Sequence, residues 1–231
     1  SKRHKLTPYR DMENEAGTIA TYKIMSVELF TDSAGVQNLF ALGNTDGGTF
    51  PQILEKSVNM VTGTFAVSTT GAGAAGVVIA TSLKGYAKTS KLYLMKTLSG
   101  NTVIDSYDPN TNTYVSTVGT ITGTSTSVYP KPFRHPQDDV MYFGAGNVVA
   151  SLNNTTFTAA ALTLPTGLII TSFTDYGIYL AISCAPKNQG EKSYTFLWGR
   201  DTSLTTVEET IDAGEGSLLV LENVEGELIG V

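Results

Sequence analysis

Cysteine and charged residues are scarce in this chain. Its 231 residues include a single cysteine, Cys184, so no intrachain disulfide can form. Only 16% of the residues are charged, whereas a typical globular domain has about 25%. Helix-rich soluble domains carry many Glu, Lys and Arg residues on their solvent faces. The shortage of charge therefore disfavours a helical fold.

Long apolar runs and clustered positive charge are also missing. No run approaches the roughly 20 apolar residues that a membrane-spanning helix needs, so we expect no membrane span. The formal net charge is −6 and the isoelectric point is about 4.9. Nucleic-acid binding requires clusters of Lys and Arg that neutralise phosphates, so we also expect no nucleic-acid partner.

The residues that are abundant favour strands joined by tight turns. Hydrophobic residues make up 41% of the chain and Gly occurs 23 times. Thr and Asn are frequent, and Thr suits pleated surfaces while Gly and Asn accept the positive φ of tight turns. The 41% of hydrophobic residues is enough to build a sizeable core from such strands.

The strand and turn pattern repeats along the chain. In one unit a strand from Lys91 is followed by a Gly-Asn turn, and a second unit from Asp139 repeats this order, with Tyr93 and Tyr142 in matching places. Tyr179 and Leu228 mark two further units. Units of about 40–50 residues with about four strands are typical of propeller blades. The pattern predicts an all-β fold of repeated four-stranded antiparallel blades, β-propeller-like, with a β-sandwich or stacked β domains as the alternative.

The domain organisation follows from this repeat. Residues 1–20 are polar and aperiodic, and we interpret them as an N-terminal arm. Residues 21–231 form the predicted blade-like β-repeat domain, with three to four blades and part of another. The last residues resemble the middle of a strand, so we expect this domain to be incomplete at its C-terminus.

Motifs that resemble cofactor or metal sites fail in their details. Residues 71–76 match the dinucleotide pattern G-x-G-x-x-G, but a strand-like segment follows where a helix is required. Residues 108–112 begin like a calcium loop, but Thr113 stands where that loop needs Gly. We interpret the second segment as a hairpin turn. The sequence predicts no cofactor and no metal site.

Catalytic constellations are equally weak. His135 lies in a proline-rich segment, residues 129–139, without a nucleophile motif, and we interpret this segment as an extended connection between blades. Adjacent acids on a strand point to opposite faces, so neither Asp138-Asp139 nor Glu208-Glu209 forms a glycosidase dyad by itself. We expect that the chain is not an enzyme, that Cys184 is buried, and that Trp198 is packed between blades.

The sequence also predicts an interaction surface. It combines the basic N-terminal arm with the aromatic and arginine side chains of the proline-rich segment, because such residues are enriched at interfaces. Its predicted members are Lys2, Arg3, Lys5, Tyr129, Phe133 and Arg134.

The segment from Asp139 to Val231 resembles a propeller-like module of structural proteins in tailed bacteriophages. The short motifs that carry the resemblance are 142–144 with 146–147, 164–165, 170–173, 175–182, 196–198 and 226–231. The resemblance covers roughly 40% of the chain. It implies a component of the virion, made in the host cytoplasm, that acts by subunit packing in the tail or its connecting region.

The sequence leaves three functions open. The first is the virion component, whose partners would be copies of itself and other virion proteins. The second is a receptor- or glycan-binding propeller, whose partner would be a glycan of the host surface. The third is a propeller-type glycoside hydrolase, which would need two acids that converge on a central channel. The phage resemblance favours the first.

Overall fold

The computed structural model describes residues 22–45, 53–57, 65–70, 80–124, 130–199, 207–215 and 220–230. Within these ranges almost all regular structure is β-strand, and the helical content is a single 3₁₀ turn at Ala87–Thr89. In the same ranges no helix has the length and apolar character to cross a membrane. The all-β prediction is confirmed.

The strands of the described residues form four antiparallel four-stranded sheets and one hairpin, each in chain order. The first sheet contains β1 (Tyr22–Thr31), β2 (Gln37–Thr45), β3 (Ile53–Ser57) and β4 (Phe65–Thr70). The second contains β5 (Ala80–Tyr86), β6 (Lys91–Leu98), β7 (Asn101–Asp108) and β8 (Thr113–Ile121). The third contains β9 (Phe133–Arg134), β10 (Met141–Ala145), β11 (Val148–Asn153) and β12 (Thr156–Thr163). The fourth contains β13 (Leu168–Tyr176), β14 (Tyr179–Pro186), β15 (Lys192–Gly199) and β16 (Glu209–Glu215), and the hairpin is β17 (Leu221–Val224) with β18 (Glu227–Gly230).

Each sheet buries its apolar side chains against the next sheet, as propeller blades do. Four hydrophobic clusters fill the four successive interfaces. Aromatic rings meet edge to face across the third interface, where Tyr142 and Trp198 have ring centroids 5.7 Å apart. Trp198 is 4% exposed, which confirms its predicted place between blades. Because the apolar residues lie on both faces of the inner sheets, no blade could bury its own core alone.

A β-bulge recurs in the first strand of three blades. The register shifts between Ile24 and Ser26 in β1, between Ala80 and Ser82 in β5, and between Ile170 and Ser172 in β13. A bulge re-aims the side chains beside it and increases the local twist. In all three blades the residue after the bulge is a serine, so the fold presents the same hydroxyl at the same place.

The structure corrects the start of the repeat. The residues used to align the units lie on the second strand of successive blades, Tyr93 on β6, Tyr142 on β10, Tyr179 on β14 and Leu228 on β18. When the serines after the bulges are aligned, the strand pairing places Ala181 of the fourth blade, and not Tyr179, at the position of Tyr93 in the second. The proline-rich segment is more than a connection, because Phe133 and Arg134 pair with β10 as a short first strand. The predicted arm, residues 1–20, and the glycine-rich residues 71–76 lie outside the described residues.

Candidate functional site

First strands of neighbouring blades lie side by side, and serine hydroxyls join two pairs of them. Ser26 Oγ accepts a hydrogen bond from the backbone N–H of Leu83 at 3.2 Å, which links the first blade to the second. Ser172 Oγ accepts one from the N–H of Leu221 at 2.9 Å, which links the fourth blade to the hairpin. Both N–H groups belong to residues that are almost fully buried. An unpaired buried N–H is costly, so these two bonds help to fix how the blades sit against each other.

Ser82 makes no such bond, because a proline occupies the equivalent position in the third blade. Its Oγ is buried and has no hydrogen-bond partner among the described residues. Tyr142 in the third blade and Tyr93 in the second hold matching places in the repeat. Phe133 pairs with Tyr142 and Lys84 pairs with Tyr93, so Pro132 of the third blade occupies the position that Leu83 occupies in the second. Proline has no backbone N–H, so the third blade offers Ser82 no donor at this position.

Glu28 is the centre of a charged cluster at the inner strands. The side chain is 9% exposed on β1, and its two oxygens lie 2.8 Å from Lys84 Nζ and 2.8 Å from Lys131 Nζ. The backbone N–H of Gly85 also donates to Oε1 at 3.3 Å. Burial raises the pKa of Glu28, but the bonds and charges of Lys131 and Lys84 outweigh it, so its pKa lies below the usual value. The ionised carboxylate thus connects the first, second and third blades.

Glu28 is not among the site residues predicted from the sequence, although the sequence contains an indication of its role. The residue interrupts the apolar stretch of β1 between Val27 and Leu29. A single charge inside such a strand requires a partner when it is buried. The partners come from two later blades, at positions 84 and 131, and the pattern of one strand does not reveal them.

A second buried ionic cluster lies inside the second blade. Lys96, which is 3% exposed, forms a salt bridge with the fully buried Asp105. Tyr114 OH donates to the same carboxylate, and the Thr117 N–H donates to Asp105 Oδ1 at 2.7 Å. Burial, together with the neighbouring Asp105 charge, raises the pKa of Tyr114 far above its usual range. A bulge in β8 opposite Asp105 positions these donors, with Thr117 at φ 62°.

His135 holds the third blade to the fourth and is fully buried. The Gln137 N–H donates to Nδ1 at 3.3 Å. Nε2 is therefore left to donate to the Tyr179 carbonyl oxygen at 3.2 Å. Asp138 Oδ1 is 3.8 Å from Nδ1 and accepts a hydrogen bond from the Val140 N–H. These contacts give His135 a positioning role between two blades.

The predicted interaction surface is only partly described. Phe133 is half-buried against the cluster between the third and fourth blades, while Arg134 is exposed and forms an ion pair with Asp139. The structure therefore brings Phe133 into a blade interface and leaves Arg134 at the surface. The remaining members lie outside the described residues: Lys2, Arg3, Lys5 and Tyr129. This surface stays a prediction.

Two other predicted features are confirmed. Cys184 is buried, and burial raises the pKa of its thiol far above the usual value, so it is unreactive. The segment after Asp108 is a turn in which Asp108 Oδ1 accepts the N–H of Asn110 at 2.9 Å. In the described parts of the chain, no three His, Cys, Asp or Glu side chains come together as metal ligands.

The described blades and the hairpin lie one after another in a row, and the outward faces of its first and last members are apolar and exposed. We call them the end faces. The first consists of Val27 (39% exposed) and Leu29 (46%) on β1, and the last consists of Val220 (47%), Val224 (45%) and Ile229 (48%) at the hairpin. The alternate residues of the same strands point to a neighbouring blade, as Phe30 and Leu221 do, and both are buried. The end faces therefore have the pattern of blade interfaces, and no other described blade lies against them.

Comparison with known proteins identifies the fold. No family model and no curated protein sequence matches the chain. A variant of exo-β-1,3-galactanase from Phanerochaete chrysosporium, solved with β-1,3-galactotriose, matches at a TM-score of 0.51 and 10% identity, over 87% of this chain and 58% of the galactanase. The β-propeller domain of Cps50 (Swd1) from Myceliophteria thermophila matches at 0.47 and 11%, over 80% of this chain and 60% of that domain. An engineered GH43 glycoside hydrolase with endo-xylanase and exo-arabinofuranosidase activity matches at 0.46 and 13%, over 89% and 46%.

The fold is that of a β-propeller with four-stranded antiparallel blades. The chain spans about half of the length of these three structures. The prediction that the chain is not an enzyme is wrong, because an enzyme, the exo-β-1,3-galactanase, is among the proteins with this fold. A propeller framework is therefore no ground for setting catalysis aside. At 10–13% identity the likeness concerns the fold alone and transfers no substrate or residue role.

Proposed function

We propose that this chain is a structural module in the virion of a tailed bacteriophage, in the tail or its connecting region, that works by packing against neighbouring subunits. The observation that carries the proposal is the pair of exposed apolar end faces. Apolar side chains that alternate along a strand are normally covered, and a propeller blade is normally covered by its neighbour. In the proposed virion, the blades that cover these faces would belong to the same polypeptide, to further copies of it or to other virion proteins.

The phage resemblance supports the same function. Its motifs fall on strands that build the interface between the third and fourth blades, with Tyr142 on β10, Ile170 and Phe173 on β13, and Phe196 and Trp198 on β15. These residues hold blades together, so what the resemblance shares is an interlocked framework. A rigid framework suits a particle component, which has to keep its surfaces in fixed positions for assembly. The place of action would be the virion, after synthesis in the host cytoplasm.

The test is whether the protein is part of the particle. Virions from the source sample are purified by gradient centrifugation and analysed by quantitative mass spectrometry, and immunogold electron microscopy then locates the protein on the particle. We expect peptides of the chain at a stoichiometry comparable with other tail proteins, and gold labels on the tail or its junction with the head. A chain that is found in the lysate but not in purified virions would refute the proposal.

A further inference from the structure

A cleft of about 550 Å³ opens between the link from the third to the fourth blade and the third strand of the fourth blade. Residues 165–168 form one wall and residues 190–192 form the rim of the other. Tyr194 and Phe196 on β15 also line it, with ring centroids 6.0 Å apart and planes inclined by 35°. Its volume lies within the range of small-molecule sites, roughly 300–1,000 Å³.

The lining combines an aromatic surface with polar groups around the opening. Leu168 and Phe196 are buried and Tyr194 is half-buried, while Thr166 and Thr210 are exposed. Small-molecule sites combine an apolar lining with a few polar groups that fix the ligand's orientation. A ligand that fits this lining needs one apolar face for the rings and several hydrogen-bonding groups on its other side.

The charges at the rim favour a neutral ligand. Lys192 Nζ lies 2.5 Å from Asp212 Oδ2, so its charge is matched within the protein. Glu191 lines the cleft, and its Oε1 accepts a hydrogen bond from the Asn188 side-chain amide at 3.0 Å. An anionic ligand would meet the Glu191 carboxylate, and the one cation among the described lining residues, Lys192, is already paired with Asp212. A carboxylate and threonine hydroxyls are instead suited to accept and donate hydrogen bonds with neutral hydroxyl groups.

We infer that this cleft binds a short neutral oligosaccharide, whose C–H face stacks on Tyr194 and whose hydroxyl groups bond with Glu191, Lys192 and the threonines. A sugar ring has one face of C–H groups and a rim of hydroxyls, which is the combination that the cleft requires. The site lies at the surface between two blades and not at their inner strands. This activity goes beyond subunit packing and would give an assembled particle a contact with surface glycans.

The test uses the full chain on an array of neutral gluco-, galacto-, manno- and xylo-oligosaccharides, with sialylated and uronic-acid glycans beside them. Affinity for the best probe is then measured by titration calorimetry. We expect a neutral probe to bind, Tyr194→Ala to weaken binding about tenfold because the stacking surface is lost, and Tyr194→Phe to stay within about threefold because the ring remains.

A second variant keeps the test decisive if Tyr194→Ala does not fold. Thr210→Arg puts a long side chain on an exposed β16 position at the cleft and should block binding, whereas Thr113→Arg, on an exposed β8 position of the second blade, should not. Melting curves verify that each variant is folded. No binding of any neutral probe, binding that neither Tyr194→Ala nor Thr210→Arg reduces, or a preference for acidic glycans would overturn the inference. Virion incorporation is measured separately, so failure here leaves the assembly proposal standing.

Discussion

A carboxylate in a blade interface stabilises the fold only while it is ionised and paired. Glu28 meets this condition with two lysine ammonium groups at 2.8 Å and a backbone N–H from the second blade. Its lowered pKa means that the folded protein holds the charged form more tightly than the unfolded chain does. The stability it contributes is therefore present above the unfolded pKa of about 4.5 and is lost as the pH falls through the lower folded pKa.

Glu28→Gln tests this pH dependence. Gln keeps an oxygen for the Gly85 N–H but loses the charge that Lys84 and Lys131 face, so at pH 7 we expect a loss of about 1–2 kcal/mol in the free energy of unfolding. Urea denaturation of both proteins between pH 7 and pH 3 gives the comparison. The difference should shrink as the pH drops below about 4.5, because the unfolded parent chain takes up a proton at Glu28 there, whereas the folded protein does so only at its lower pKa. A difference that does not change with pH would contradict this account.

The loss of a charge should cost more stability at the Asp105–Lys96 pair than at Glu28, because both side chains of the pair are nearly inaccessible to solvent. Asp105→Asn keeps an acceptor for the Thr117 N–H but leaves a buried ammonium group without its counter-charge. We expect a loss of about 3–5 kcal/mol. In the double variant Lys96→Met with Asp105→Asn the ammonium group is gone as well, so it should be more stable than Asp105→Asn alone. Guanidinium denaturation of the single and double variants checks the order, and costs that simply add would contradict it.

At the scale of the element, the recurring bulge determines which serines matter. Ser26 and Ser172 accept a buried N–H of the next blade, whereas Ser82 faces a blade that has Pro132 at that place. We expect Ser172→Ala and Ser26→Ala to lower the free energy of unfolding by about 1–2 kcal/mol each, because a buried N–H loses its acceptor.

Ser82→Ala is the matched control for these two serines. It removes a buried hydroxyl that has no partner among the described residues, so its cost should stay within about 0.5 kcal/mol, or it should even stabilise the protein. Equilibrium urea unfolding under one set of conditions compares all three variants. Equal costs at the three positions would show that the hydrogen bonds between blades are not the cause.

The strands and the blade period could be predicted from the sequence because they are local properties. Turn residues such as Asn112 and Gly146, both at positive φ, mark where strands end. The first strand of the third blade could not be predicted, because prolines surround Phe133 and Arg134 and its two residues pair only through β10.

The candidate sites depended on contacts between blades, which the local pattern does not contain. Glu28 is joined to Lys131 across 103 positions of the chain (131 − 28). The cleft likewise combines the link after β12 with β15 and β16. Burial of Trp198 and Cys184 could be predicted, since each lies in an apolar strand, but their partners could not.

For the whole molecule, the deciding question is what covers the end faces. Inner blades bury the residues equivalent to those exposed at the ends, as the full burial of Leu83 illustrates. Burial of an apolar side chain contributes roughly 25 cal/mol per Å² of area removed from water. Association through the end faces should therefore be sensitive to charge placed there and insensitive to charge placed on other exposed apolar positions.

The double variant Val27→Lys with Leu29→Lys introduces two ammonium groups on the first end face. Val115→Lys on β8 is the matched control, since Val115 is also exposed, at 43%, but lies away from both ends of the row. We expect the double variant to lose self-association in analytical ultracentrifugation and to enter virions at least about tenfold less when supplied as a tagged chain during infection. The reason is that an ammonium group buried without a counter-charge disfavours the packed state. The control should assemble like the parent protein. If the double variant and the control assemble equally well and both melt at the temperature of the parent protein, the end faces are not the assembly surfaces. Subunit packing must then use another part of the blades.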